Sequence, residues 1–360
     1  MNTPHKLSAR SLKPLLLACA CLLAAGAHVT ARPQQQPTTS VALSEDAKRG
    51  IEQYKRGEAD AAIKSLRAAT KKSKGDAVAW YYLGLSLLTK GKAKDARAAF
   101  EAALSLSPDF VAGRNGLAYA LLYLGKAFEA MRVSEDTLKL DQKNAESHYV
   151  RGLVQYRLNY YSKALEASEG ALKLDPSFAN GLFLKSQALV AMSGNALTTA
   201  NDETADVREV LLKKIASRLD EANEALDKFL RLNPQGARNA EAVREEIMTL
   251  RVYGAMSGAA SPDGAIYTAK ELTTRAIIKD RPEPLYTERA RQNQVTGTVR
   301  VRMVLAADGT VKYVVAVNRL PDGLTEASIR AARRIKFIPA TKDGRPVSQY
   351  VTIDYNFNIY

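Results

Sequence analysis

From about residue 43 to residue 253, apolar positions recur at spacings of three and four; beyond a glycine-containing stretch they alternate strictly with polar ones. The first pattern predicts amphipathic helices and the second half-buried strands. The helical part also repeats itself. From Ala77 a unit of 34 residues carries Trp80, Leu83, Gly84, Leu87, Ala96, Phe100, Ala103 and Pro108. The register returns as Leu117, Ala118, Leu121, Ala130 and Thr137 from Val111, and as Gly152, Ala164, Ala171 and Pro176 from Ala145. Backwards it gives Gly50, Ala62, Leu66 and Ala69 from Leu43. The unit from Ala179 starts in register but has Thr198 where a small residue is due, and its matching Ala222 and Pro234 arrive late. A loop is therefore predicted over Ser193 to Asp206, then a long helix over Thr204 to Leu232 and a final capping helix over Ala237 to Tyr253.

Gly254 to Gly264 reads as the core of a linker spanning 254–269. After it, Glu271 to Ile278 has strand content and Tyr286 to Gln292 predicts a short helix. Gly297 to Leu305 alternates, with Val299, Val301 and Met303 on one face and Thr298, Arg300, Arg302 and Val304 on the other. Asp308-Gly309 before Val311 to Asn318 signals a hairpin. Thr325 to Lys336 is predicted helical with Thr325 as its cap. Val347 to Ile359 alternates again, Tyr350, Thr352, Asp354, Asn356 and Asn358 opposite Val351, Ile353, Tyr355, Phe357 and Ile359. Residues 270–360 thus form a small α+β module with an antiparallel sheet.

The 34-residue unit resembles the tetratricopeptide repeat over residues 43–253. Small residues such as Gly84 and Ala96 let paired helices approach closely, and Pro108 and Pro176 end a helix before the next unit. The resemblance implies an α-helical solenoid of about five units plus a capping helix, with a concave groove lined by the first helix of each unit. The groove positions of that family fall here on Tyr81, Leu85, Asn115, Tyr119, Tyr123, Tyr149, Tyr156, Arg157, Phe183 and Gln187, an aromatic surface suited to a peptide or protein partner. The alternative is that several of these tyrosines pack between units.

The order Pro282-Glu283-Pro284-Leu285-Tyr286, Gly297-Thr298-Val299-Arg300-Val301, Ala307-Asp308-Gly309, Phe337-Ile338-Pro339-Ala340 and Lys342-Asp343-Gly344-Arg345-Pro346-Val347 resembles the C-terminal domain of TonB-family proteins. That family's domain is a periplasmic recognition module, which binds an extended receptor segment by adding it to a sheet edge. Of its Gln-Pro-x-Tyr-Pro element, Pro284 and Tyr286 agree, while Glu283 and Thr287 depart. By resemblance the last strand, from about Ser348 to Phe357 and including Tyr350, Thr352 and Asp354, is the expected docking edge.

The N-terminus changes what such a domain can do. Lys6, Arg10 and Lys13 precede an apolar run from Leu15 to Ala27 and a small-residue site at Val29-Thr30-Ala31, so residues 1–31 read as a cleaved signal peptide. The run falls short of the roughly 20 residues a membrane-spanning helix needs. An uncleaved anchor, or a lipid on Cys19 within Leu16-Leu17-Ala18-Cys19, is the alternative. Both cysteines, Cys19 and Cys21, lie in this segment, so the expected mature chain has no thiol chemistry. The formal charge of +14 is read as a solvated basic surface, with acidic proteins and anionic headgroups as candidate partners and nucleic acid set aside on the export signal.

Little chemistry remains. The histidines are His5, His28 and His148, and His148 takes the place of Trp80 in its repeat, a packing position. Neither a nucleophile elbow nor a phosphate loop is present. The expectation is a periplasmic interaction scaffold, without catalysis or cofactor, for periplasmic or outer-membrane proteins, an outer-membrane transporter included. The alternative is a TonB-type energy transducer, which requires the N-terminus to stay in the inner membrane beside a proton-driven motor.

Overall fold

The computed structural model describes residues 43–200, 203–255 and 265–358. The export signal, its cleavage site and most of the glycine-containing linker lie outside the described residues. The array begins with α1 (Glu45–Lys55) and α2 (Ala59–Lys72), then α3 (Ala77–Thr89), α4 (Ala93–Leu106), α5 (Val111–Tyr123), α6 (Ala127–Leu140), α7 (Ala145–Arg157) and α8 (Tyr161–Leu174). It continues with α9 (Ala179–Ala200), α10 (Ala205–Leu232), a 3-10 turn (Pro234–Gly236) and α11 (Ala237–Ala255).

One backbone device makes the pairs. Gly57, Gly91, Gly125 and Asn159, spaced one repeat apart, have φ of 78°, 71°, 73° and 62°. Each follows the first helix of its unit in a Schellman turn; in the second unit Gly91 N bonds Leu88 O at 2.9 Å and Lys92 N bonds Leu87 O at 2.9 Å. The next place in this series is Ser193, which stays helical with its Oγ donating to Leu189 O at 2.8 Å. Without the left-handed residue the first helix does not stop. The loop expected from Ser193 is instead α9 running on to Ala200, with Leu197 and Ala200 buried.

A second series ties the second, third and fourth units to the turn before each. Trp80 Nε1 donates to Lys74 O (3.2 Å), Arg114 Nε donates to Pro108 O (2.8 Å), and His148 Nε2 sits 2.9 Å from Gln142 O. His148 therefore repeats the structural job of Trp80, as its place in the repeat predicts. Phe100, fully buried, is gripped between glycines of consecutive units. A Cβ added at Gly84 would lie 2.7 Å from its ring, and one at Gly116 would lie 2.3 Å away.

The C-terminal part contains β1 (Ile266–Tyr267), β2 (Ile277–Asp280), α12 (Glu288–Gln292), β3 (Gly297–Leu305), β4 (Val311–Ala316), α13 (Leu324–Ala332), β5 (Lys336–Ile338), β6 (Ala340–Lys342) and β7 (Arg345–Phe357). The main sheet runs β1-β7-β3-β4 with β6 hairpinned onto β7, and β2 pairs with β5 separately. The sheet is antiparallel except for β1, which lies parallel to Ser348 and Gln349. Between β3 and β4, Gly309 takes φ 83° and Asp308 accepts from Thr310 N at 2.9 Å. The Thr310 and Lys312 groups around Asp308 hold its carboxyl down at about 2.

Three local expectations shift. Of the strand expected over Glu271 to Ile278, only the end is strand, in β2, with a single bridge from Thr274 to Thr341. The N-cap of α13 is Gly323, at φ 84°, rather than Thr325, whose Oγ1 instead bonds both Leu320 N (2.9 Å) and Leu320 O (2.8 Å). The same helix ends at Ala332, because Lys336 to Ile338 pair with β2.

The sheet has two apolar faces. Val299, Val301, Met303, Leu305, Ile353, Tyr355 and Phe357 join Ala290, Leu324, Ala331 and Ala332 of α12 and α13 in one core. Val304 and Val315, on the opposite face, join Val243, Ile247, Leu250 and Tyr253 of α11. The last helix of the array thus covers one side of the C-terminal sheet.

Because Gly116 faces an immobile ring while Gly91 faces open space, Gly116→Ala should cost about 2–3 kcal/mol through overpacking. Gly91→Ala should cost only about 1 kcal/mol, from the positive φ. Thermal melts of the two variants check the order.

Candidate functional site: the array groove and the open edge of the last strand

Five of the expected groove residues, Leu85 among them, are buried between helices. Tyr81 is enclosed by Tyr82, Phe100 and Phe110 at ring distances of 5.2, 6.0 and 5.1 Å, and burial pushes its phenol pKa well up. Asn115 Nδ2 donates to Ser147 Oγ of the next unit at 3.1 Å. Tyr149 stacks edge-on against Phe178 at 5.5 Å, and Phe183 packs on Phe229 at 4.9 Å. Tyr119, Tyr123, Tyr156, Arg157 and Gln187 remain partly exposed. Helical spacing places these residues on the first helix of each unit, but it does not say how deeply the neighbouring unit overlaps each one.

Tyr123 and Arg157 meet the chain's own C-terminal domain. Arg157 pairs with Asp322, whose side chain is fully buried. Arg289 of α12 approaches the same carboxylate at 3.1 Å and lies over the Tyr123 ring at 4.6 Å. Asn293 Nδ2 donates to Asp322 Oδ2 at 2.8 Å, and Thr287 Oγ1 donates to its backbone oxygen at 2.6 Å. Two guanidiniums and an amide thus compensate the desolvation of this buried carboxylate. Nearby, Arg319 pairs with Glu246 and Arg333 with Glu245, both from α11. The Tyr253 hydroxyl donates to Tyr313 O at 2.5 Å, and its ring meets Tyr350 edge-on at 5.4 Å.

The second locus is β7. Its register with β3 runs from Gly297↔Phe357 to Leu305↔Gln349. Arg300 turns its N–H to Asn318 Oδ1 (2.6 Å) and its carbonyl to Val317 N (2.8 Å), both on the β4 side. In an antiparallel ladder its partner Asp354 must then point its own N–H and C=O away from β3, and so must Tyr350, Thr352 and Asn356. Among the described residues no strand pairs with Tyr350–Phe357 on that side. Ile277 to Arg281 approach it only through side chains. Ala276 N donates to Gln349 Oε1 at 2.6 Å, and an Arg281 guanidinium nitrogen donates to Asp354 O at 2.5 Å. Between them lies a cleft of about 540 Å³ lined by Ile278, Arg281, Arg300, Arg302, Thr352, Ile353 and Asp354.

Ser348 is buried, its Oγ accepting from Ala307 N at 3.1 Å, while Thr352 is exposed. Asp354 holds Arg300 in two parallel bonds of 2.7 and 2.8 Å, and this partner lowers its carboxyl pKa. Tyr286 donates to Val295 O and stacks on Phe357 at 5.7 Å, and Pro284, two residues before it, is half-buried. Arg281 and Arg302 are not among the expected site residues, and Asp322 is not expected as the partner of Arg157. The alternation of β3 opposite β7 held a signal for Arg302, since Arg300 and Arg302 fall across from Asp354 and Thr352.

Among the described residues no group of His, Cys, Asp and Glu could hold a metal ion, and no helix is long and apolar enough to cross a membrane. Residues 282–359 match the family of the Gram-negative bacterial TonB protein C-terminal, and residues 48–109 and 145–178 match tetratricopeptide repeats. The chain therefore joins tetratricopeptide repeats to a TonB C-terminal domain, the one a protein-interaction scaffold and the other an envelope-associated recognition domain. Similar solved structures include TTC0263, a thermophilic TPR protein of Thermus thermophilus, at 21% identity and TM-score 0.46 over 56% of this chain and 97% of that one. MamA from Desulfovibrio magneticus RS-1 is similar at 19% identity and TM-score 0.38 over 51% and 98%. YrrB, a TPR protein with an unusual peptide-binding site, is similar at 17% identity and TM-score 0.35 over 55% and 90%. No curated protein matches the chain.

Removing the Asp322 carboxylate leaves Arg157 and Arg289 facing each other. Their side chains are 23% and 24% exposed and can rehydrate, so Asp322→Ala should cost about 3 kcal/mol, the low end for a broken buried pair. Amide exchange should rise around 287–293 and 319–323, while the ladder of β3 and β7 keeps its protection.

Proposed function

We propose that the protein is a periplasmic interaction scaffold whose TonB-type domain takes an extended segment of an envelope partner, an outer-membrane transporter, onto the outer edge of β7. The observation that carries this reading is the row of outward-facing backbone groups at Tyr350, Thr352, Asp354 and Asn356, which no strand of the described residues pairs. Unpaired edges template strand addition and draw affinity from the main chain. The family match over 282–359 supports the envelope setting.

In this proposal the repeat array has two jobs. Its C-terminal units hold the TonB-type domain through Asp322 and α11. Its groove residues Tyr119, Tyr156 and Gln187 are offered to a second protein partner, Tyr123 and Arg157 being taken by the C-terminal domain. Pro284 and Tyr286 set the path of the chain into α12 beside the end of β7.

The test uses the direction of one N–H. Thr352 points its N–H outward, so Thr352→Pro leaves the bonds to β3 in place and removes one bond from an added strand, as proline does at a sheet edge. A photo-crosslinker at Asn356 in intact Gram-negative cells should capture an outer-membrane protein, and Thr352→Pro should cut that yield by about tenfold, one lost ladder bond plus its steric block. Capture that is indifferent to the proline would contradict edge addition.

A further inference from the structure

A cavity of about 280 Å³ opens between α4, α5 and α6, where the second unit meets the third. Leu117, Leu121 and Val133 make its floor. Leu117 and Leu121 each stand two residues from Tyr119, about 200° around the helix, so the cavity lies on the opposite side of α5 from the groove. Its volume is at the small end for ligand pockets and leaves no room for a folded partner.

The carboxylates on its walls each have a basic partner within one helical turn. Arg97 pairs with Glu101 at 2.7 Å, Lys126 with Glu129 at 2.6 Å and Lys139 with Asp136 at 2.8 Å. Two further guanidiniums line the cavity without such a partner. Arg114 uses only Nε, which donates to Pro108 O at 2.8 Å, and Arg132 is exposed and forms neither a hydrogen bond nor an ion pair among the described residues. The repeat register sets this cavity apart from its successors. One and two repeats after Leu117 the same place holds Arg151 and Lys185. Lys185 lies between Glu169 and Glu221 at 3.1 and 2.7 Å, so in that unit the chain's own cation fills the seam. At Leu117 the apolar floor stays open beneath two guanidiniums that have donors to spare.

Charge decides what fits. Guanidiniums over an apolar floor call for a carboxylate that carries an apolar body. A simple anion would also meet Asp136, whose carboxyl is held below its usual range by Lys139 first and then by Arg114 and Arg132, all within electrostatic reach. Lys139 bonds Oδ1 of Asp136, which leaves Oδ2 for another cation. An ammonium next to the ligand's carboxylate turns the repulsion from Asp136 into a second contact. From Arg114 to Leu121 the floor runs along about 10 Å of helix, enough for one aliphatic or aromatic side chain.

We propose that this cavity binds a free α-amino acid with an apolar side chain: Arg114 and Arg132 take its carboxylate, Asp136 takes its ammonium, and Leu117, Leu121 and Val133 receive the side chain. The site is independent of the groove and of the C-terminal domain.

The experiment is a saturation-transfer NMR titration of the full chain with L-leucine and with two analogues that each lack one of its charges, 4-methylpentanoate and 3-methylbutylamine. Leucine should bind with a Kd of about 0.1 mM, and each analogue about tenfold more weakly. Arg132→Gln, at an exposed position with no bond to lose, should keep the thermal midpoint and weaken leucine binding about tenfold. Asp136→Asn, which breaks only an exposed pair, should leave leucine bound no better than 4-methylpentanoate. Absence of leucine binding at millimolar concentration, leucine binding that Arg132→Gln leaves unchanged, or 4-methylpentanoate binding the native chain as tightly as leucine would overturn the proposal.

Discussion

A β-sheet with two apolar faces needs two covers, and the C-terminal domain supplies only one. Helices α12 and α13 close the face of Val299, Val301 and Met303, which leaves Val304 and Val315 to be buried by something else. The array provides it in α11, whose Val243, Ile247, Leu250 and Tyr253 pack on that face. Burying an aliphatic side chain fully is worth about 1.5–3 kcal/mol, so the contact outweighs the surface ion pairs around it. The Asp322 cluster contributes orientation more than energy. A buried carboxylate held by Arg157, Arg289 and Asn293 tolerates few alternative geometries.

This constraint decides which surfaces remain for partners. The inner face of the array near Tyr123 and Arg157 is committed to the C-terminal domain, and the sheet face near Tyr350 is committed to Tyr253. The outer edge of β7 lies beyond both contacts. The alternation of β7 follows from this placement: its odd-numbered residues from Ile353 to Phe357 are buried under the helices, and even-numbered ones from Thr352 to Asn358 look toward the cleft or solvent. Side-chain bonds from Gln349 and Arg281 keep the preceding segment close to this edge without zipping it shut.

Much of this was legible in the sequence, and the parts that were not share a cause. The five-unit array, β3 and the two-faced β7 follow from periodicities of 34 and of two, which local sterics enforce. The run of α9 through Ser193 escapes a reading that takes Thr198 as the sign of a break. The informative residue is the missing left-handed glycine or asparagine at 193, one repeat after Asn159. Val304 was placed correctly on the polar side of β3, yet it is buried, because the partner that covers it comes from a helix more than fifty residues earlier. Arg157 was marked as a groove residue from its repeat position, whereas its mate Asp322 sits at a left-handed turn with φ 60° in another domain. Sequence spacing reports what a residue can face along its own element. Long-range burial and charge pairing are set by tertiary contacts it does not encode.

The repeats hold the TonB-type domain through α11 and Asp322 so that the β7 edge is presented in one orientation. Pulsed electron-spin distance measurement between labels on Glu224→Cys in α10 and Glu326→Cys in α13, both exposed positions, tests it directly. A single narrow distance distribution is expected, broadened when Asp322→Ala is added. A broad or multimodal distribution in the otherwise native chain would contradict it.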